Sequence, residues 1–129
     1  MIYLDTSVAL AHLLAEDRRP GEAIWSRPLV SSRLLEYEAW NLINSRGLGA
    51  SHGPLVEDLV ERLGIIELDG ETLARAREPF PVPLRTLDVI HLASAVYLKG
   101  RGFRVEVATY DARMRDGALA LGLGLYTLD

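Results

Sequence analysis

Apolar and polar positions change period repeatedly along the chain, and each change marks an element. Ile2, Tyr3 and Leu4 form a short unbroken apolar run that stops at Asp5. Thr6 or Ser7 then offers a helix cap, and Val8, Ala9, Leu10, Leu13 and Leu14 follow at helical spacing, which predicts strand, sharp turn, helix. Pro20-Gly21 breaks that helix, residues 22–25 read as a short helix, and 29–32 read as a second strand. Residues 34–45 read as a helix closed by Gly47 and Gly49, and Pro54 opens another whose apolar face ends at Gly64. A third strand is predicted at 65–68, a short polar helix at 71–78 and a loop at Pro79, Pro81 and Pro83. A strongly apolar helix at 87–98, a fourth strand at 105–109, a helix at 112–121 and a last short strand at 123–128 complete the pattern.

Strands alternating with helices predict an α/β fold built on a mainly parallel five-stranded sheet, with residues 1–129 forming one domain. Sheets of this kind take ligands beyond the carboxyl ends of their strands.

Composition narrows the chemistry. Apolar residues make up 49% and charged residues 25%, the mix of a globular domain and not of a disordered chain. The absence of cysteine excludes disulfides, thiolate zinc sites and cysteine nucleophiles. His12, His52 and His91 share no ligand spacing, so a bound metal would be held by oxygen, which favours Mg²⁺ or Mn²⁺. The N-terminus has no basic segment, and the apolar run at 8–15 is short and broken by His12. No signal peptide or membrane span is expected, and the cytoplasm is the expected compartment. A formal charge of −4 does not by itself suggest a nucleic-acid partner.

The acids change that picture. Asp5 ends the first strand, Asp111 follows the fourth, and Asp88 opens the apolar helix after the proline loop. Each also has a structural reading, as a turn residue, a helix cap or a first-turn acid favoured by the helix dipole. Glu38 shares a helix face with Leu34, Leu35, Ala39 and Leu42, whereas Glu36 falls beside Arg33 and Trp40. A carboxylate on an apolar stripe needs a partner, either a metal or a buried arginine such as Arg85. Four carboxylates converging at one end of the sheet would repel one another, and one or two divalent cations would compensate. Such ions suit phosphodiester hydrolysis. With four acids assigned to a cation, the remaining formal charge is zero. Arg33, Arg46, Arg85, Arg113 and Arg115 are then candidates for a basic rim.

The spacing of these residues resembles a known family. Residues 2–7 (Ile-Tyr-Leu-Asp-Thr-Ser) are similar to the opening motif of PIN-domain nucleases, and Ser32, Leu34 and Glu38 to their second motif. Residues 84–93 resemble the third motif, and 108–111 with Gly122 downstream the fourth. The subgroup most resembled is the VapC-type toxins of toxin–antitoxin pairs. The resemblance implies a three-layer α/β/α fold and a Mg²⁺- or Mn²⁺-dependent endoribonuclease acting on transfer or ribosomal RNA. It also implies a homodimer, inhibition by a VapB-type antitoxin, and hydrolysis leaving a 5′-phosphate and a 3′-hydroxyl. Carried over by position, Asp5, Glu38, Asp88 and Asp111 would be the metal-binding acids, supported by Thr6 and Thr109. Thr109 has a second reading as a cap of the last helix. Asn41 would contact RNA or Glu38, Arg85 would pair with an acid or touch phosphate, His91 reads as a packed helix residue, and Asp116 reads as exposed.

Signalling, nucleotide-binding and dehalogenase-type phosphatase readings fail for want of the lysine, glycine-rich loop or Asp-x-Asp each needs. The remaining alternative is a non-catalytic PIN-like scaffold with a silent acidic site.

Overall fold

A computed structural model describes residues 1–128. Its sheet runs in the order β3-β2-β1-β4-β5 and every pairing is parallel. The strands are β1 (Ile2–Leu4), β2 (Leu29–Ser32), β3 (Gly64–Ile66), β4 (Glu106–Ala108) and β5 (Gly124–Leu125). The helices are α1 (Thr6–Leu13), α2 (Arg33–Ser45), α3 (Gly49–Arg62), α4 (Thr86–Gly100) and α5 (Ala112–Ala120). The strictly parallel sheet meets the expectation of an α/β fold. No helix of the described residues is long and apolar enough to cross a membrane.

β1 sits at the centre, in register with Leu29 and Val30 on one side and Glu106 to Ala108 on the other. Its three residues are fully buried because both faces of the sheet are covered. The pleat divides them. Ile2 and Leu4 enter an apolar core shared with Val8, Leu35, Ile43 and Val56 from α1, α2 and α3. Tyr3 points the other way, into a core built with Leu92 and Met114 from α4 and α5. Helices thus cover both faces, in three layers. The chain winds from β1 outward to β3 and then returns to add β4 and β5 on the opposite flank. This reversal leaves a crevice beyond the carboxyl ends of β1 and β4, the usual ligand position in such sheets.

Several boundaries differ from the periodicity. α3 begins at Gly49 and carries Pro54 inside it. Only Gly47, at φ +68°, ends α2, with Gly47 N–H bonding to Asn44 O and Leu48 N–H to Ile43 O. Gly49 is therefore a helix residue, and Pro54 costs one backbone bond where the chain is otherwise held. The preceding Gly53 is needed for packing: a Cβ there would stand 2.7 Å from the Trp40 indole. The predicted strand at 65–68 stops at Ile66 because Thr72 ties the next turn, its hydroxyl donating to Glu67 O and its N–H to Asp69 Oδ1. The helix expected at 71–78 is a shorter 3₁₀ turn at Ala74–Arg77, and the one at 22–25 is a 3₁₀ turn at Glu22–Ser26. β4 and β5 are shorter than expected, since only three and two residues pair with their neighbours.

Candidate active site

The acid after β1 comes first. Asp5 is the N-cap residue of α1, but its side chain makes no capping bond. Its Oδ2 instead accepts from the hydroxyls of Ser7 and Thr109, each at 2.7 Å. Both hydroxyls are in turn held by the β4–α5 connection: Ser7 Oγ accepts from Tyr110 N–H at 3.1 Å and Thr109 Oγ1 from Asp111 N–H at 3.0 Å. With their acceptor sides occupied, these hydroxyls point their protons at Asp5. The cap reading does not hold for Asp5, which is buried among side chains.

Glu38 lies on α2 with its side chain 23% exposed. Its Oε1 accepts from Thr6 Oγ1 at 2.7 Å and from His91 Nε2 at 2.6 Å. The imidazole is fixed from behind: its Nδ1 meets the Tyr3 hydroxyl at 2.7 Å, and that oxygen accepts from Ser32 N–H. This order of donors places the His91 proton on Nε2. Burial pushes the Tyr3 hydroxyl well above the ordinary tyrosine range, so it serves as a proton donor to the ring throughout the physiological span. The bond between His91 and Glu38 joins the two helical layers around the end of β1. No buried arginine fills this place. Arg85 is exposed at the N-cap of α4, and the alternative of an arginine partner for Glu38 is overturned.

The other two acids sit at helix starts. Asp88 Oδ2 accepts from Arg85 N–H at 3.2 Å, and Asp111 Oδ1 caps α5 through Arg113 N–H at 2.9 Å. Here the bland readings hold for one oxygen of each carboxylate. Asp88 precedes His91 by three positions on α4, which puts both on the same helix face. Thr109, through its two hydrogen bonds, links Asp5 to the backbone of Asp111. Asn41 is exposed, and no hydrogen bond joins it to Glu38. Asp116 is also exposed. Arg33 is bound to Glu67 and Glu36 at 2.7 and 3.1 Å, and these carboxylates raise its affinity for its proton. Arg46, Arg85, Arg113 and Arg115 are exposed and form no ion pair among the described residues.

Among the described residues, no three histidines or acids stand close enough to enclose a metal ion. The donor chemistry nevertheless suits a hard cation. Each of the four carboxylates uses one oxygen for the hydrogen bonds above, and its second oxygen accepts none within the described residues.

The family model described as "PIN domain" matches residues 2–119. This chain belongs to the PIN-domain family. It is similar to Ribonuclease VapC46 of Mycobacterium tuberculosis, 33% identical over 130 residues, covering 96% of this chain and 95% of the relative. It is also similar to Ribonuclease VapC35 of the same organism, 31% identical over 131 residues, covering 97% and 95%. In this PIN domain, sequence reasoning missed the polar roles of Tyr3, Ser7 and His91. The signal available for His91 was a ring with two polar nitrogens on an apolar helix face, where both must find partners.

Proposed function

We propose that this PIN domain is an endoribonuclease that hydrolyses RNA phosphodiester bonds with a divalent cation, as the toxin of a toxin–antitoxin pair in the cytoplasm. The observation that carries the reading is the hydrogen-bonded constellation at the start of α1, where Ser7 and Thr109 hold Asp5, and the next residue, Thr6, together with His91 holds Glu38. Full-length similarity to proteins named ribonucleases supports the reaction class. The same similarity supports a VapB-type antitoxin as partner, and a homodimer is what the resemblance to VapC-type toxins implies.

Asp5, Glu38, Asp88 and Asp111 would hold Mg²⁺ or Mn²⁺. When bound, such a cation supplies charge to the scissile phosphate and acidity to the attacking water. The chain's own residues orient the carboxylates. Ser7 and Thr109 fix Asp5 through Oδ2, and Thr6 and His91 fix Glu38 through Oε1, which presets where the remaining oxygens face. His91 is 2% exposed and both its nitrogens are engaged, so it does not act as a general base on a ribose hydroxyl. In-line attack by water with the 3′-oxygen as leaving group leaves a 5′-phosphate and a 3′-hydroxyl.

The test is incubation of the purified, antitoxin-free protein with total cellular RNA in Mg²⁺, Mn²⁺ or EDTA, beside Asp88→Asn. Discrete metal-dependent fragments with 5′-phosphates, absent for the variant, are expected. No cleavage in either metal, together with no Mn²⁺ binding, would turn the assignment to a non-catalytic PIN-like scaffold.

A further inference from the structure

A cleft of about 440 Å³ lies on the β5 flank, bordered by Arg18, Thr109, Tyr110, Arg115 and Tyr126. We infer that this cleft receives one unpaired RNA nucleotide next to the scissile phosphate, an assignment that rests on the ribonuclease reading and names how the substrate is gripped.

Position is the first argument. Thr109 lines the cleft while its hydroxyl donates to Asp5, so the cleft stands one side chain away from that acid, although none of the four acids lines it. Its volume falls within the ~300–1,000 Å³ of small-ligand pockets. Chemistry is the second. The Arg18 guanidinium lies 4.3 Å from the centre of the Tyr110 ring, and its Nη2 donates to Tyr110 O at 3.0 Å. The plane of the guanidinium is thereby fixed from two directions, although Arg18 itself is exposed. Tyr126 is held beside β4 by its N–H on Val107 O. Arg115 completes the wall from α5.

Charge is the third. Arg18 and Arg115 form no ion pair among the described residues, which is equally true of Arg46, Arg85 and Arg113, and what sets these two apart is that both border the cleft. With Arg18 already over the Tyr110 ring, the two guanidinium groups, which have no ion pair among the described residues, and the Tyr126 ring beside them match a ligand with both a phosphate and a flat ring. A duplex would reach the arginines with its phosphates and leave the rings unused, because its bases stay stacked. Single strands can splay a base into such a cleft.

The experiment measures binding of a fluorescein-labelled RNA single strand of about 12 nucleotides, and of the matching duplex, by anisotropy in EDTA so that no cleavage intervenes. The proteins are the full chain and Arg18→Gln, Arg115→Gln and Tyr126→Leu, each checked by thermal melting. Each substitution is expected to weaken single-strand binding about ten-fold, with Tyr126→Leu leaving duplex binding within about two-fold. A 4-thiouridine strand should crosslink to Tyr110 or Tyr126. Single-strand affinity unchanged in all three variants, or crosslinks only elsewhere, overturns the cleft assignment even if the protein cleaves RNA. Loss in the two arginine variants but not in Tyr126→Leu also overturns it, since charge alone would then suffice, as for an acidic peptide. An unsubstituted protein that binds no RNA overturns both this assignment and the ribonuclease reading.

Discussion

Asp5 and Glu38 are held by side chains; Asp88 and Asp111 are held by backbone. The first pair accepts from Ser7, Thr109, Thr6 and His91, residues that lie up to 104 positions away in the chain. The second pair accepts from Arg85 N–H and Arg113 N–H, two or three positions away. Any sequence that starts a helix provides an N–H for the second kind of hold. Only particular residues in a particular fold provide the first. The same site is thus half specific and half generic, and the two halves should fail differently when altered.

The largest effect expected is on activity, and there the halves should agree. Asp5→Asn and Asp88→Asn each remove a charge proposed to face the cation, and each should lower RNA cleavage by about 10²–10³-fold. Stability should separate them. In Asp88→Asn the amide oxygen still accepts from Arg85 N–H and only one negative charge at the start of α4 is lost, which costs about 0.5 kcal/mol or less. Asp5→Asn also keeps an acceptor for Ser7 and Thr109 but loses the charge assistance of two buried bonds, which costs about 1 kcal/mol. Calorimetry on the two variants checks the difference, and equal melting points would remove the distinction between the two kinds of hold.

Next is His91→Ala. It empties a ring site between the layers and takes the donor from Glu38 and the acceptor from the buried Tyr3 hydroxyl. A cost of about 3 kcal/mol is expected, a fall of roughly 10 °C in melting temperature. His91→Gln, whose amide can donate to Glu38, should recover part of this. A smaller loss, about 1–2 kcal/mol, is expected for Thr109→Val, which keeps the shape but strands Asp111 N–H and removes one donor from Asp5. If Thr109→Val melts like wild type, the hydroxyl bridge between β1 and β4 is not a stabilising one.

This difference also explains what could be read from the chain alone. The order of strands and helices follows from apolar periodicity, and the positions of Asp5, Asp88 and Asp111 follow from their places at element ends. Glu38 was legible because a carboxylate on an apolar stripe demands a partner, but the partner was not. His91 lies 53 positions away on another helix, and neither residue's local pattern points to the other. Ser7 and Thr6 both looked like caps of α1, yet both hydroxyls serve acids instead. Asn41, one helical turn from Glu38, faces solvent, because the stripe it would need to join is occupied by Ala39 and Ile43. Short-range geometry was readable; contacts that exist only after the sheet closes were not.

The smallest effect concerns a backbone hold in which the residue does not match its conformation. α2, α4 and α5 each end in a loop with a glycine at positive φ, at Gly47, Gly102 and Gly122. α1, whose N-cap is Asp5, ends in the same hydrogen-bond pattern, Ala15 N–H to His12 O and Glu16 N–H to Ala11 O, but with Ala15 at φ +49°. A Cβ in that region costs roughly 1 kcal/mol, and glycine's greater freedom in the unfolded chain offsets part of the relief. Ala15→Gly should therefore stabilise the protein by a few tenths to about 1 kcal/mol, seen as a small rise in melting temperature with RNA cleavage unchanged. Gly122→Ala should do the reverse, because a Cβ is strained at φ +73° and the flexible Lys99 side chain must also move its Nζ out of the way. If Ala15→Gly instead lowers both stability and activity, the end of α1 positions Asp5, and the backbone end of this helix is then as specific as the side-chain network at its start.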